Sequence, residues 1–388
     1  MLTESGLKVT VSFKVKVAFK VRLDFKVRVG FKVKVGFKVR VGLKVKVGFK
    51  VRASLKVKVG FKVKVGFKNN TWNDAPSDGY DLPVYGLNEG HFYTLHIPAL
   101  SCIFLSFASA VLTMVLSFRQ KSYKTFFSRS KSERFVVYLA ICDAAFNLAH
   151  SMDHLHILIT EDHVYPKELC EFYGFMLAEF ITAQNLMVNI IAVNAFVLIF
   201  LHKQIDFGIK DYRLLLWTFG TPFVCATVAG IAGQLGPNGS FCYFDGVKGT
   251  VANFLFTTVP LTIILILNSV LYSMTLRNIY LKEKELKKTL GKQTMTTKMR
   301  HAAARAMSVF VLVFLIQWWA MAVYGLWSFI EPEAVPAPIY HLVTTFSNVG
   351  GILNFGVYLY IRRRLLPFQT PRVQSSIRRE EFSGPVHL

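Results

Sequence analysis

Residues 94–117 read TLHIPALSCIFLSFASAVLTMVLS and contain no Lys or Arg. At 1.5 Å rise per residue, a helix of roughly 20 apolar residues crosses the hydrocarbon core of a bilayer. Six comparable runs follow, at about 135–159, 173–201, 214–235, 251–276, 304–330 and 338–361. Each lacks Lys and Arg, the sixth from residue 306 onward, as the cost of charge in lipid requires. The expected fold is all-α membrane: a seven-transmembrane helix bundle over 94–361. Composition agrees, since 53% hydrophobic residues exceeds the ~45–50% usual for a soluble chain.

The polar connections set the expected orientation. Arg119, Lys121, Lys124, Arg129, Lys131 and Arg134 crowd the first connection, Lys203, Lys210 and Arg213 the third, and eight bases fall in the fifth, 277–303. The last run is followed at once by Arg362-Arg363-Arg364. The intervening connections hold only Lys167 and Lys248. Excess Lys and Arg marks the cytoplasmic side, so the N-terminus is expected outside and the tail, 362–388, inside. The setting is a multi-pass protein of the plasma membrane. Membrane lipid is thus a partner, and the basic stretch after Arg362 suits an inner-leaflet surface.

The formal charge of +23 would suggest a nucleic-acid partner were it spread over the chain. It is concentrated in residues 7–66, ten hexads of the form FKVKVG or FKVRVG, where 19 bases face one acid and supply +18. No nucleic-acid partner is therefore expected of the main body. Alternating apolar and basic residues read as strand. Two readings compete for 1–66: a cationic β-ribbon, or a translated simple repeat without a fixed fold, even a gene-model artefact. Regularity favours the second. Residues 67–93 are acidic and form a short extracellular segment with a sequon at Asn69. A second sequon, at Asn238, falls in a connection expected outside.

Cys170 and Cys242 lie on that same oxidising side and are expected to form a disulfide that pins the second outer connection to the third helix. Asp143, Asn147, His150 and His154 follow at spacings of 4, 3 and 4, one face of the second helix. A polar face in lipid must look into the bundle. It reads either as an interhelical hydrogen-bond ladder or as a switch, Asp143, below a pocket lined by His150, Asp153 and His154. Glu179 is the expected ligand-contacting acid and Trp319 a further pocket candidate. Asn189, Asn354 and Tyr358 are switch candidates, Gly350 and Gly351 permit close helix approach, and Pro222 and Pro260 are expected to kink their helices.

No HExxH, GxSxG, Walker or dinucleotide fingerprint occurs, so an enzyme is not expected, nor a cofactor or metal site. A retinal protein would need a lysine in the last span, and 338–361 has none. A small transporter using the Asp143–His154 stripe as a proton or metal path is the alternative. It would gain from an internal repeat, absent outside the hexads.

Five passages carry a resemblance: YLAICDAAF at 138–146, Cys170 before span three, WTFGTP at 217–222, GQLGPNGSFCYF at 233–244 and GGILNFGVYLY at 350–360. Together with seven spans they resemble the cAMP-receptor-like (class E) G-protein-coupled receptors, in their metazoan orphan branch, over about 94–366. The resemblance implies a receptor for an unknown extracellular ligand. Its two bundle arrangements would differ in their exposure of 277–303 to a heterotrimeric G protein. Tail residues Ser375 and Ser376 would be sites for phosphorylation and arrestin contact, and Val386-His387-Leu388 for a PDZ groove. Span three ends IFLHKQIDF without a DRY-like triplet, span six lacks CWxP and span seven lacks NPxxY, so the rhodopsin-like class is not expected. cAMP is not the expected ligand either, because a phosphate wants cationic donors and the outer half offers only Lys167, Lys248 and histidines.

Overall fold

The computed structural model describes residues 8–14, 18–24, 37–41, 43–47, 76–88, 90–120, 123–289, 295–330 and 336–365. Asn69, Ser375, Ser376 and the terminal tripeptide lie outside them. The chain divides into two units, Met1–Ala75 and Pro76–Leu388. In the first, the period-two alternation is realised as strands β1 (Lys8–Lys14), β2 (Ala18–Asp24), β3 (Phe37–Val41) and β4 (Leu43–Val47). They pair in that order, antiparallel, parallel, antiparallel.

The second unit holds seven helices long and apolar enough to cross a membrane. They are α1 (Phe92–Arg119), α2 (Lys131–Thr160), α3 (Lys167–Phe200), α4 (Ile209–Ile231), α5 (Thr250–Glu285), α6 (His301–Ile330) and α7 (Pro338–Arg363). Their order and bounds follow the sequence expectation with one correction. The fourth apolar run extends to 235, but its helix ends at Ile231, and Leu235–Pro237 is strand β5 paired antiparallel with β6, Cys242–Phe244. Gly233, at φ +61°, makes the turn that a helix continuing to 235 could not make.

The central helix is α3, which packs on α2, α5, α6 and the β5–β6 hairpin. Burial follows that position. The apolar windows of α2, α3 and α6 are 72%, 61% and 67% buried, against 33% for α1 and 28% for α4 and α5. Leu105, Leu216 and Phe223 stand well exposed on those outer helices. In water such a surface would aggregate; against acyl chains it costs nothing.

Local chemistry sets the helix limits. Ser130 and Glu133 form a reciprocal capping box at the start of α2, and Glu161 closes it in the left-handed region. The two expected kinks appear as π-helical turns, Leu216–Gly220 before Pro222 and Phe254–Thr258 before Pro260. Proline cannot donate to the carbonyl four residues back, and the wider turn absorbs that loss. Above the bundle, residues 76–88 form a strap over the hairpin. Gly79 N donates to Asp245 Oδ2 (2.8 Å), Tyr85 N to the Gly239 carbonyl (2.7 Å) and Tyr80 Oη to the Val164 carbonyl (3.0 Å).

Candidate functional site

Three polar constellations sit along the bundle, and the first lies at its middle. Asp143 is 1% exposed. Its Oδ1 accepts from Gln184 Nε2 and its Oδ2 from Asn354 Nδ2, both at 2.7 Å. Gln317 Nε2 donates to Gln184 Oε1 (3.3 Å) and to the Ser347 carbonyl (2.9 Å). Asn147 Nδ2 reaches Ser106 Oγ (3.2 Å), which also accepts from Gly351 N (2.8 Å). The carboxylate of α2 thereby joins α3, α6 and α7 through neutral amides, and the Ser106 hydroxyl ties α1 to α2 and α7 beside it. The closeness depends on two glycines. A Cβ on Gly350 would stand 2.4 Å from Gln317 Nε2, and one on Gly351 2.2 Å from the Ser106 carbonyl oxygen.

The second constellation lies toward the hairpin. A small cavity is lined by Phe146, His150, Leu177, Ile181, Phe241, Trp318, Met321, Val343, Thr344 and Ser347. The space left is on the order of one water. Phe241, from the turn between β5 and β6, fills part of it and touches the rings of His150 and His154 at 5.2 and 6.1 Å. The hairpin is held there by the expected disulfide, Cys170–Cys242.

The other candidates named from the sequence divide. His150 lines the cavity, while His154, fully buried, hydrogen-bonds behind it. Asp153 does not face the cavity: its Oδ2 accepts from Cys242 N (3.0 Å) and so anchors the hairpin. Glu179 is buried on α3 away from the lining. Trp319 is the wrong member of its pair. It is 40% exposed against Phe346, and Trp318, fully buried, lines the cavity instead. Asn189 Nδ2 donates to Asn268 Oδ1 on α5 (3.0 Å), and Tyr358 is buried below Asn354. At Asn238 the side-chain oxygen accepts from Ser240 N and Phe241 N, and Ser240 is 4% exposed, so that sequon is folded into the hairpin turn.

The third constellation, at the opposite end, is one that no motif in the sequence announces. Arg134 Nε and Nη2 grip Asp211 at 2.7 and 3.0 Å, and Tyr138 Oη donates to the same carboxylate at 2.9 Å. Asp211 sits at φ +58°, in the first turn of α4. Separately, Glu283 at the end of α5 pairs with Arg305 of α6 (2.5 Å).

Residues 109–358 match the family described as 7 transmembrane receptor (rhodopsin family). This chain belongs to that family. Its receptor fold is also similar to squid rhodopsin, whose crystal structure aligns at a TM-score of 0.57 and 16% identity over 82% of this chain and 98% of that one. No curated protein matches.

The chain is accordingly a G-protein-coupled receptor, with a heterotrimeric G protein as partner, and a receptor of this family is in general no enzyme. The expectation that it stands outside the rhodopsin-like class is overturned by that match. It rested on three short motifs at helix ends and bends, whereas the family is matched over 109–358. The departures keep a physical meaning. Where a charged triplet is missing at the end of α3, the charges that organise this end lie on α2, at the start of α4, and on α5 and α6.

Proposed function

We propose that the receptor reads an extracellular ligand that enters the cavity beneath Phe241 and passes its presence to the Asp143 hub. The observation that carries this reading is the hydrogen-bond path between them. Ser347 lines the cavity, its carbonyl accepts from Gln317, and Gln317 donates to Gln184, which donates to Asp143. A ligand that displaces Phe241 or leans on Trp318 shifts α7 against α6 where that path crosses. A state that binds it better gains population.

The lining favours an uncharged, largely aromatic or aliphatic ligand with one polar group toward Thr344 or His150. No Lys or Arg is among the lining residues, and Lys167 and Lys248 both lie 3.4 Å from Asp78. A cyclic nucleotide phosphate would find no cation there. The cAMP-receptor-like branch rests on the five sequence passages, and its name is not the ligand. The hairpin end is the extracellular side in this reading, by the positive-inside rule, and the site is the plasma membrane. Asp143, Asn354, Asn189 and Tyr358 act as switch residues, and the tail offers phosphorylation, arrestin and PDZ contacts.

The test is nucleotide exchange on a panel of Gα subunits by the purified receptor in nanodiscs, challenged with an extract library. The Gln317→Leu variant is expected to bind the same ligand while losing about tenfold in stimulated exchange, a coupling of ~1.4 kcal/mol. Solute flux into liposomes without exchange on any Gα would favour the transporter reading instead.

A further inference from the structure

The stripe that includes His150 and His154 continues into α1, where a third imidazole completes a row of which the receptor reading uses only His150. His96 Nδ1 lies 2.7 Å from His154 Nδ1. His154 Nε2 lies 2.9 Å from His150 Nε2. His150 Nδ1 lies 2.9 Å from Asn348 Oδ1. All three rings are at most 3% exposed.

The proton positions in this row are forced from one end. Asn348 Nδ2 donates to the Thr344 carbonyl (2.6 Å), which fixes the amide and makes Oδ1 the atom that faces His150. An amide oxygen only accepts, so His150 carries its proton on Nδ1 and its Nε2 is bare. His154 must then donate from Nε2, leaving Nδ1 bare, and His96 must donate from Nδ1. The row ends on His96 Nε2, a buried lone pair with no hydrogen-bond partner among the described residues. One neutral tautomer satisfies every contact and leaves one open acceptor, at the α1 end.

We propose that this row is a binding site for a single proton taken from the extracellular side, and that it delivers the charge to the cavity wall. The new N–H bond forms at His96 Nε2, and the proton comes from water. The Nδ1 proton of His96 can then pass to His154 Nδ1, and the Nε2 proton of His154 to His150 Nε2. Each shift makes one N–H bond and breaks one, so the positive charge moves without further uptake. It stops at His150, because the Asn348 oxygen accepts but passes nothing on. Wherever the charge rests, His96 Nε2 stays protonated.

The surroundings decide where it rests. Ring contacts to the row come from Phe92 of α1, Phe146 of α2 and Phe241 of the hairpin. From α7 come Asn348 and Thr344, and the only charged group beside the row on α2 is Asp153, which is turned to the Cys242 amide. On α3, Tyr173 packs in the same cluster as Phe92 and Cys242. No Lys or Arg is among these groups. Of the three rings only His150 lines the cavity, so charge there meets two neighbouring phenyl rings and whatever occupies the cavity. The signalling consequence rests on the receptor reading above: acid outside would change what the cavity binds.

Histidine-selective 15N spectroscopy of the full chain in nanodiscs tests the site itself. As the pH is lowered from about 8 to below about 4, one buried Nε2 is expected to change from bare to protonated, with the three rings titrating as one unit. His96→Gln keeps a donor toward His154 and removes the uptake point, so the transition disappears. Asn348→Asp puts a carboxylate beside His150 Nδ1 and is expected to raise the midpoint by about one pH unit or more. The proposal is overturned if the three rings keep their neutral signals over that whole range. It fails equally if His96→Gln titrates like the parent, or if Asn348→Asp leaves the midpoint in place. Absence of exchange on every Gα would count against the receptor reading and leave this titration standing.

Discussion

At the scale of single residues, burial decides what each substitution removes. Asp143 accepts from two amides that have no water to fall back on. Asp143→Ala leaves both donors unpaired, and a loss of about 3 kcal/mol is expected, read as a lower melting temperature of the purified protein. Gly351→Ala should be worse tolerated than any exposed glycine change, because its Cβ would overlap the Ser106 backbone and neither helix can yield cheaply. At the other end, Arg134 and Asp211 are both nearly buried and meet through two hydrogen bonds. Removing Asp211 alone strands a buried guanidinium. Asp211→Asn is therefore expected to cost about 3 kcal/mol, while Arg134→Met with Asp211→Leu costs much less. A double-mutant cycle on melting temperatures checks this, and additive losses would refute it.

Much of this residue scale is legible in the sequence, and the failures have causes. The Asp143–His154 stripe follows from spacing alone, because 4-3-4 returns to one helical face. Its partners do not follow, since Gln184, Gln317 and Asn354 stand on other helices and no local period ties them together. His96 escapes notice because it is a lone histidine in a run otherwise free of long polar side chains. Trp318 and Trp319 are adjacent, about 100° apart on the helix, so a phase error of one residue exchanges pocket for surface. Arg134 and Asp211 are hidden among loop charges that serve, in the sequence, only to set orientation.

At the scale of elements, the hairpin is the part whose position matters most. It is tied to α3 by Cys170–Cys242, to α2 by Asp153 and to α5 by Tyr243 Oη and Thr257 Oγ1 at 2.8 Å. Replacing both cysteines by Ser opens a 72-residue connection and is expected to destabilise the bundle by about 2–4 kcal/mol, seen as a fall in melting temperature under non-reducing conditions. Phe241→Ala enlarges the cavity without touching these ties. It is expected to cost about 2 kcal/mol and to let small apolar solutes bind and restore part of it, measured as a rise in melting temperature with added solute. The seven spans are readable because lipid forbids charge over a fixed length. The hairpin is not, because Leu235 reads as a continuation of the apolar run until the turn at Gly233 is seen.

At the scale of the molecule, the strap 76–88 gives the hairpin end its pH dependence. Desolvation acts most strongly on Asp78 and raises its pKa, but the Tyr80 amide, Lys167 and Lys248 together outweigh it and hold the carboxyl below its ordinary value. A depressed carboxyl contributes stability above its unfolded pKa of ~3.9 and loses it as pH falls through the folded value. Amide exchange at residues 79–85 is therefore expected to quicken below about pH 4 relative to the core of α3. The effect is small because the ion pairs are exposed and screened. An unchanged ratio down to about pH 3 would show that the backbone bonds alone hold the strap.

The same strap also bears on time. A cavity roofed by a disulfide-tied hairpin, itself fastened by backbone bonds to the segment above, exchanges its contents only as fast as that roof lifts. Two ligands of equal affinity would then share nearly the same slow escape, set by the protein rather than by their own contacts, and residence would outlast what their strength of binding suggests.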